Sequence, residues 1–269
     1  MNEHPFDRET AVSPLGDHRY RAQTSRPWWG NPGPHGGHLA ASMLRAISLE
    51  AADPELAPRT FTIHFTSRAE EGDLEVEARV ERRGGALATV SCRITQNERV
   101  IALGLAALGR SRKGPELAHH RPPQVPQPDE VGGPNRRTER TTPSAMSNYE
   151  YRFAIGKPFS GAPARAGGWI RPSEPRVMDA LLVTALSDLW MPAVFMSLDD
   201  FLPVPTVELT INFLAQLPPA GAAPDDWYLT VFDTPAAREG YFREDGQIWS
   251  REGVLLASCS QLGVFLAGR

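Results

Sequence analysis

One carboxylate in this sequence stands where a carboxylate is costly. Residues 177–190 (VMDALLVTALSDLW) are apolar on nearly every side, and a helix without a polar face must be wrapped by other elements. Asp188 sits near the end of that helix. An acid at a helix C-terminus opposes the macrodipole, and Leu181, Thr184 and Ala185, which share its face by spacing, offer little solvent. Burial without a partner raises the pKa of an aspartate, and a base that must take a proton from water gains from such a shift. The plain alternative is an aspartate turned outward at the helix end.

Other residues able to do chemistry are fewer. Gln261 lies in an apolar and small-residue run, Leu255–Phe265, where its amide must find partners. A structural bond to backbone would satisfy it, but an amide can also orient a water. Thr206 heads a predicted strand, which β propensity alone explains, and by strict alternation Glu208 shares its face as a reserve base. His35-Gly-Gly-His38 is weak as a metal pair, with no carboxylate or cysteine nearby; a loop cap is the better reading, and no metal or cofactor is called for. Gly36 and Gly37 open a helix, where unpaired N–H groups and the dipole favour negative charge.

The elements that must position these residues come in two similar sets. Strands are expected around His18–Thr24, Phe61–Phe65, Leu74–Arg82, Ala88–Gln96 and Val100–Leu108, with a helix from His38 to about Ala52 and a turn at Asn97-Glu98. The second set has a strand near Gly168–Arg171, the helix at 177–190, and strands near 206–214, 227–234, 241–250 and 253–266. Turns are expected at Asp245-Gly246 and Glu252-Gly253. Residues 61–65 (FTIHF) and 209–213 (LTINF) match in pattern, so the chain reads as two copies of one α+β unit. Each unit is a helix followed by four antiparallel strands, with at least one strand before it. The division expected is 1–112, a proline-rich linker at 113–145 without a core of its own, and 146–269.

Composition narrows the class. The 269 residues carry a formal net charge of −4, with 41% hydrophobic and 22% charged residues, so nothing electrostatic points to nucleic acid or a membrane surface. Two cysteines, Cys92 and Cys259, fit a reducing compartment, and the N-terminal residues lack a signal-peptide core. A cytoplasmic protein is expected, with homo-oligomers open.

A helix swaddled by a long antiparallel sheet, duplicated in one chain, resembles the double hotdog fold. More closely, Gly36–Ala41 (GGHLAA), Ser187–Trp190 (SDLW), Pro205–Phe213 (PTVELTINF) and Ala257–Gly263 (ASCSQLG) resemble the acyl-CoA thioesterase II family in order and spacing. That resemblance implies a catalytic set of Asp188, Thr206 and Gln261 holding a water for direct attack on the thioester of an acyl-CoA. It implies no cofactor and no covalent acyl-enzyme. Gly36 and Gly37 would then face the thioester oxygen, with His38, Trp28 and Trp29 at the substrate; for the tryptophans, covering a sheet edge is the alternative. The first copy has no aspartate near Ile47–Ser48 and has Ala107 near the place of Gln261, so one site is expected. Two other readings stand beside it. One is a double hotdog that binds an acyl ligand without turnover; the other is a hydratase, because Asn31–His35 faintly resembles a hydratase loop whose acid position is here Trp29.

Overall fold

The computed structural model describes residues 3–30, 32–131 and 143–266. Asn31 of the hydratase-like loop and Pro134 of the linker lie outside them. The first copy comprises α1 (Pro5–Glu9), β1 (Ser13–Gly16), β2 (Arg19–Thr24), α2 (Gly36–Ala51), β3 (Ala57–Phe65), β4 (Gly72–Arg83), β5 (Leu87–Gln96) and β6 (Arg99–Gly109). The second comprises β7 (Tyr149–Ile155), β8 (Arg165–Pro172), α3 (Ala180–Leu186), β9 (Thr206–Phe213), β10 (Tyr228–Arg238), β11 (Tyr241–Trp249) and β12 (Leu255–Val264).

The strands form one antiparallel sheet of 12, ordered β1-β2-β4-β5-β6-β3-β9-β12-β11-β10-β8-β7. From the middle outward both halves follow the same order, so the internal repeat is a structural duplication and the fold is the expected double hotdog. The matched segments meet at its centre. Phe61 pairs with Ile211, Thr62 with Thr210 and Ile63 with Leu209, and the two threonine hydroxyls lie 2.8 Å apart. The edge that each half would otherwise expose is thereby used up. Leu209, Ile211 and Phe213 face the core, as their alternation predicts.

Two helices fill the concave side. In α2, Met43, Leu44, Ala46 and Ile47 are fully buried. The second helix is shorter than 177–190: α3 begins at Ala180 behind Asp179, whose carboxylate caps Leu182 N–H. Its end tightens, because the Ser187 hydroxyl returns to the Val183 carbonyl and Asp188 N–H bonds to the carbonyl of Ala185 three residues back. Asp188 therefore follows the helix rather than riding on it.

Further departures have local causes. Asp245-Gly246 is no turn; both residues are paired on two sides within β11. Gly246 is there because a Cβ would come within 2.5 Å of Cys259 Sγ and of Phe232. The chain reverses at Glu239-Gly240 instead, with φ of 53° and 81°. β7 alternates through Tyr149, Tyr151 and Phe153 on the core side, until an irregularity before Ile155 turns that residue to the outer cluster, and β1 pairs outside β2.

Part of the expected linker is packed. Residues 122–131 cross the outer face of the second half, where Val125 and Val131 cover Trp169, Trp227, Leu229, Val231 and Trp249. Trp169 Nε1 donates to the Pro126 carbonyl at 2.8 Å. Residues 228–232 thus bury side chains on both faces, which makes their run buried throughout rather than alternating. No helix among the described residues is long and apolar enough to cross a membrane.

Candidate active site

The site forms where the end of α3 meets the start of α2. His35 caps α2, its Nδ1 accepting from Gly37 N–H at 3.1 Å, as the loop-cap reading expects. The other ring nitrogen, Nε2, must then carry the proton and donates to the Asp188 main-chain carbonyl at 3.0 Å. Burial lowers the pKa of His35 and keeps it neutral, against the pull of the Asp188 charge. Gly37 N–H also donates to Asp188 Oδ2 at 2.8 Å. The aspartate that opposes the dipole of its own helix is therefore met by the positive end of the other.

Both glycines are required by this approach. A Cβ on Gly37 would stand 2.5 Å from the Ala185 carbonyl oxygen, and one on Gly36 would stand 2.7 Å from Asp188 Oδ2 and 3.1 Å from Phe65. Close passage of the two segments is what brings the carboxylate to the N–H groups.

Thr206 and Gln261 complete the cluster. The Thr206 hydroxyl lies 3.3 Å from Asp188 Oδ1 and 2.9 Å from Gln261 Oε1. A β-bulge makes this possible. Gly263 pairs with Thr206 but Leu262 pairs with Glu208, which leaves Val207 as an extra residue. That residue turns Thr206 onto the inner face beside Gln261, and leaves Glu208 on the outer face, where it accepts from Thr210. Glu208 and Thr206 do not share a face, so Glu208 is no reserve base. The first copy has the same bulge, at Arg59, so the irregularity belongs to the repeating unit and the second copy places a threonine in it.

Asp188 is 11% exposed at its side chain. Removing a carboxylate from water costs several kcal/mol, and a hydrogen bond to a charged group returns about 1.5–3 kcal/mol. Desolvation wins: it raises the Asp188 pKa in spite of His35, Gly37 N–H and Thr206, which each act to lower it. The result is an ionisable group of enhanced basicity that keeps only a small contact with solvent.

A fourth member escapes sequence reasoning. Gln261 Nε2 donates at 2.7 Å to Glu244 Oε1, whose other oxygen accepts from Ala193 N–H. Glu244 is 1% exposed, and burial pushes its pKa up to about 7. Its signal is a glutamate in the inward phase of Phe242, Gly246 and Ile248, which reading a turn at Asp245-Gly246 conceals. In the first copy the registers that hold Gln261 and Glu244 hold Ala106 and Val90. The polar pair is therefore not something the fold requires.

The remaining candidates line the back of the site. His38 is 3% exposed and its Nε2 lies 3.0 Å from the Tyr149 hydroxyl, and the ring of Trp28 packs edge-on to it at 4.7 Å. Trp29 is half-buried, with the Arg26 guanidinium 3.9 Å above its ring.

With this geometry in place, comparison with known proteins becomes informative. Residues 120–265 match the family described as "Acyl-CoA thioesterase C-terminal domain", and residues 25–109 match its N-terminal counterpart. The chain belongs to the acyl-CoA thioesterase family. Among solved structures it is similar to a conserved protein of unknown function with a hot dog fold from Alicyclobacillus acidocaldarius, with 28% identity, TM-score 0.89 and all of both chains covered. It also resembles an acyl-CoA thioesterase II from Mycobacterium marinum, with 19% identity, TM-score 0.78 and 98% of each chain covered. No protein of curated function matches the sequence.

Proposed function

We propose that this acyl-CoA thioesterase family member hydrolyses acyl-CoA thioesters by direct attack of water, with Asp188 as general base and Thr206 and Gln261 as the groups that orient the water. The observation that carries this reading is the Asp188 carboxylate, buried and raised in pKa yet held by the N-terminus of α2 through Oδ2, with the Thr206 hydroxyl 3.3 Å from Oδ1. Water bound against Asp188 Oδ1 and the Thr206–Gln261 pair loses a proton to the carboxylate as its oxygen attacks the carbonyl carbon. Collapse of the tetrahedral species breaks the C–S bond, and the proton passes from Asp188 to the departing thiolate. No acyl-enzyme forms.

In this reading the thioester oxygen lies over the start of α2. Gly37 N–H is engaged by Asp188 and His35, so the oxyanion contact falls to Gly36 and the dipole. Trp28 and His38 wall the acyl side from behind, and Trp29 stands at its rim.

Thiol release from acyl-CoAs of graded chain length tests the activity. Asp188→Asn keeps shape and removes the base, so kcat should fall by about 10²–10⁴-fold with KM little changed. Thr206→Val and Gln261→Ala should each cost less, and added to Asp188→Asn almost nothing further, because the three act as a unit. A folded Asp188→Asn that hydrolyses at the parental rate would sink the assignment. A protein that binds acyl-CoA and releases no thiol would instead support the ligand-binding reading.

A further inference from the structure

We propose that Glu244 is a positioning residue that sets the direction of the hydrogen-bond chain running through Gln261 and Thr206 to Asp188. The inference rests on the reading of Asp188 as the base.

Thr206 has one hydroxyl proton and two acceptors, Gln261 Oε1 at 2.9 Å and Asp188 Oδ1 at 3.3 Å. Which one receives it depends on which end of the Gln261 amide faces the threonine, and Glu244 decides that. Ionised, Glu244 only accepts. It takes Nε2–H of Gln261 at 2.7 Å, the amide oxygen turns to Thr206, and the hydroxyl donates to Gln261. Asp188 Oδ1 is then free to take a proton from water. Protonated, Glu244 donates to the amide oxygen and the whole chain reverses. Gln261 Nε2 donates to Thr206, and Thr206 donates to Asp188, occupying the oxygen that must act and lowering its basicity.

The surroundings allow both states. Ala193 N–H from the 193–196 turn holds the second oxygen in place. β12 presents Gln261 and the buried thiol of Cys259, β10 presents the hydroxyl of Thr234, and the end of α3 presents Asp188. No cation is among these groups. Burial lifts the glutamate pKa to about 7, so the reversal falls near neutrality. The sign follows: the active direction needs ionised Glu244, hence kcat rises with pH through about 7 and falls as pH drops below it.

Glu244→Gln mimics the protonated state at every pH. Its single carbonyl is claimed by Ala193 N–H, which leaves an NH₂ facing Gln261 and fixes the reversed direction. At pH 8 kcat should fall about tenfold, the scale of one hydrogen bond redirected onto an ionised acceptor. KM should hold, and the limb near neutrality should vanish while the Asp188 limb remains. A purely structural role would lower the thermal midpoint and leave the profile of the folded enzyme in place; unchanged kcat and an unchanged profile would overturn the proposal. Wild-type protein gives a second test that needs no activity. With ¹³C-labelled glutamate and ¹⁵N-labelled glutamine, the Gln261 side-chain ¹⁵N resonance should shift with the titration of the buried carboxyl. A carboxyl that titrates while the amide stays still would refute it. If the protein releases no thiol from any acyl-CoA, the function fails while this titration still decides the chain.

Discussion

At the scale of single residues, Gly36 and Gly37 separate two effects that usually come mixed. They are adjacent, and each would collide with the end of α3 if it carried a methyl group, but with different atoms. On Gly36 the methyl meets the carboxylate of Asp188, the end of a side chain that can rotate away. On Gly37 it meets the main-chain oxygen of Ala185, which moves only with the end of α3. Gly36→Ala should therefore fold and lose turnover, by about 10²-fold if the carboxylate is displaced by ~1 Å. Gly37→Ala should cost about 1–3 kcal/mol of stability, the range for overpacking a tight interior. Thermal midpoints and kcat measured on both variants check the split. Asp188 itself was legible, because an acid in an apolar helical stretch needs explaining. What held it was not: its partners, Gly37 N–H and His35, lie about 150 residues away, and no local pattern couples them.

At the scale of elements, the site depends on a departure from regularity. Period-two reading finds β9 and its buried face correctly, yet puts Thr206 on the wrong side of it, because alternation cannot show an inserted residue. Deleting Val207 restores regular alternation with Thr206 still opposite Gly263, so Thr206 should stay inward while Leu209, Ile211 and Phe213 keep their places. The shortened protein should fold and keep turnover well above that of Thr206→Val, measured by thiol release. Turnover as low as that of Thr206→Val would show that the extra residue itself, and not only the pairing with Gly263, positions the threonine. The length of α3 was overestimated for a related reason. Apolar residues continue past Leu186, but they are buried in the tight turns of 187–196 rather than along a helix, and an apolar run alone does not distinguish the two. The strands, by contrast, were legible nearly throughout, since most have one face in the core and alternate accordingly.

Considered whole, the molecule places its candidate site at the joint between its copies. The proposed base, Asp188, comes from the second copy and the N–H group that holds it from the first, while β3 and β9 weld the halves through the middle of the sheet. Residues 146–269 alone would expose the β9 edge and leave Asp188 without Gly37, so this fragment should self-associate at micromolar concentration. A monomeric fragment that unfolds cooperatively, seen by sedimentation and calorimetry, would contradict that dependence. The segment between the copies is also part of the assembly: Pro128 is buried, Gln127 and Asp129 meet Arg251, and Val125 and Val131 lie on the tryptophan cluster. This arrangement gives the protein an optical asymmetry. Three of its six tryptophans, Trp169, Trp227 and Trp249, lie beneath that crossing segment; Trp28, Trp29 and Trp190 belong to the other side of the sheet or to the site. Lifting the segment would wet the first three alone, so a red shift of emission that precedes loss of helical dichroism would mark its release, with the site still standing.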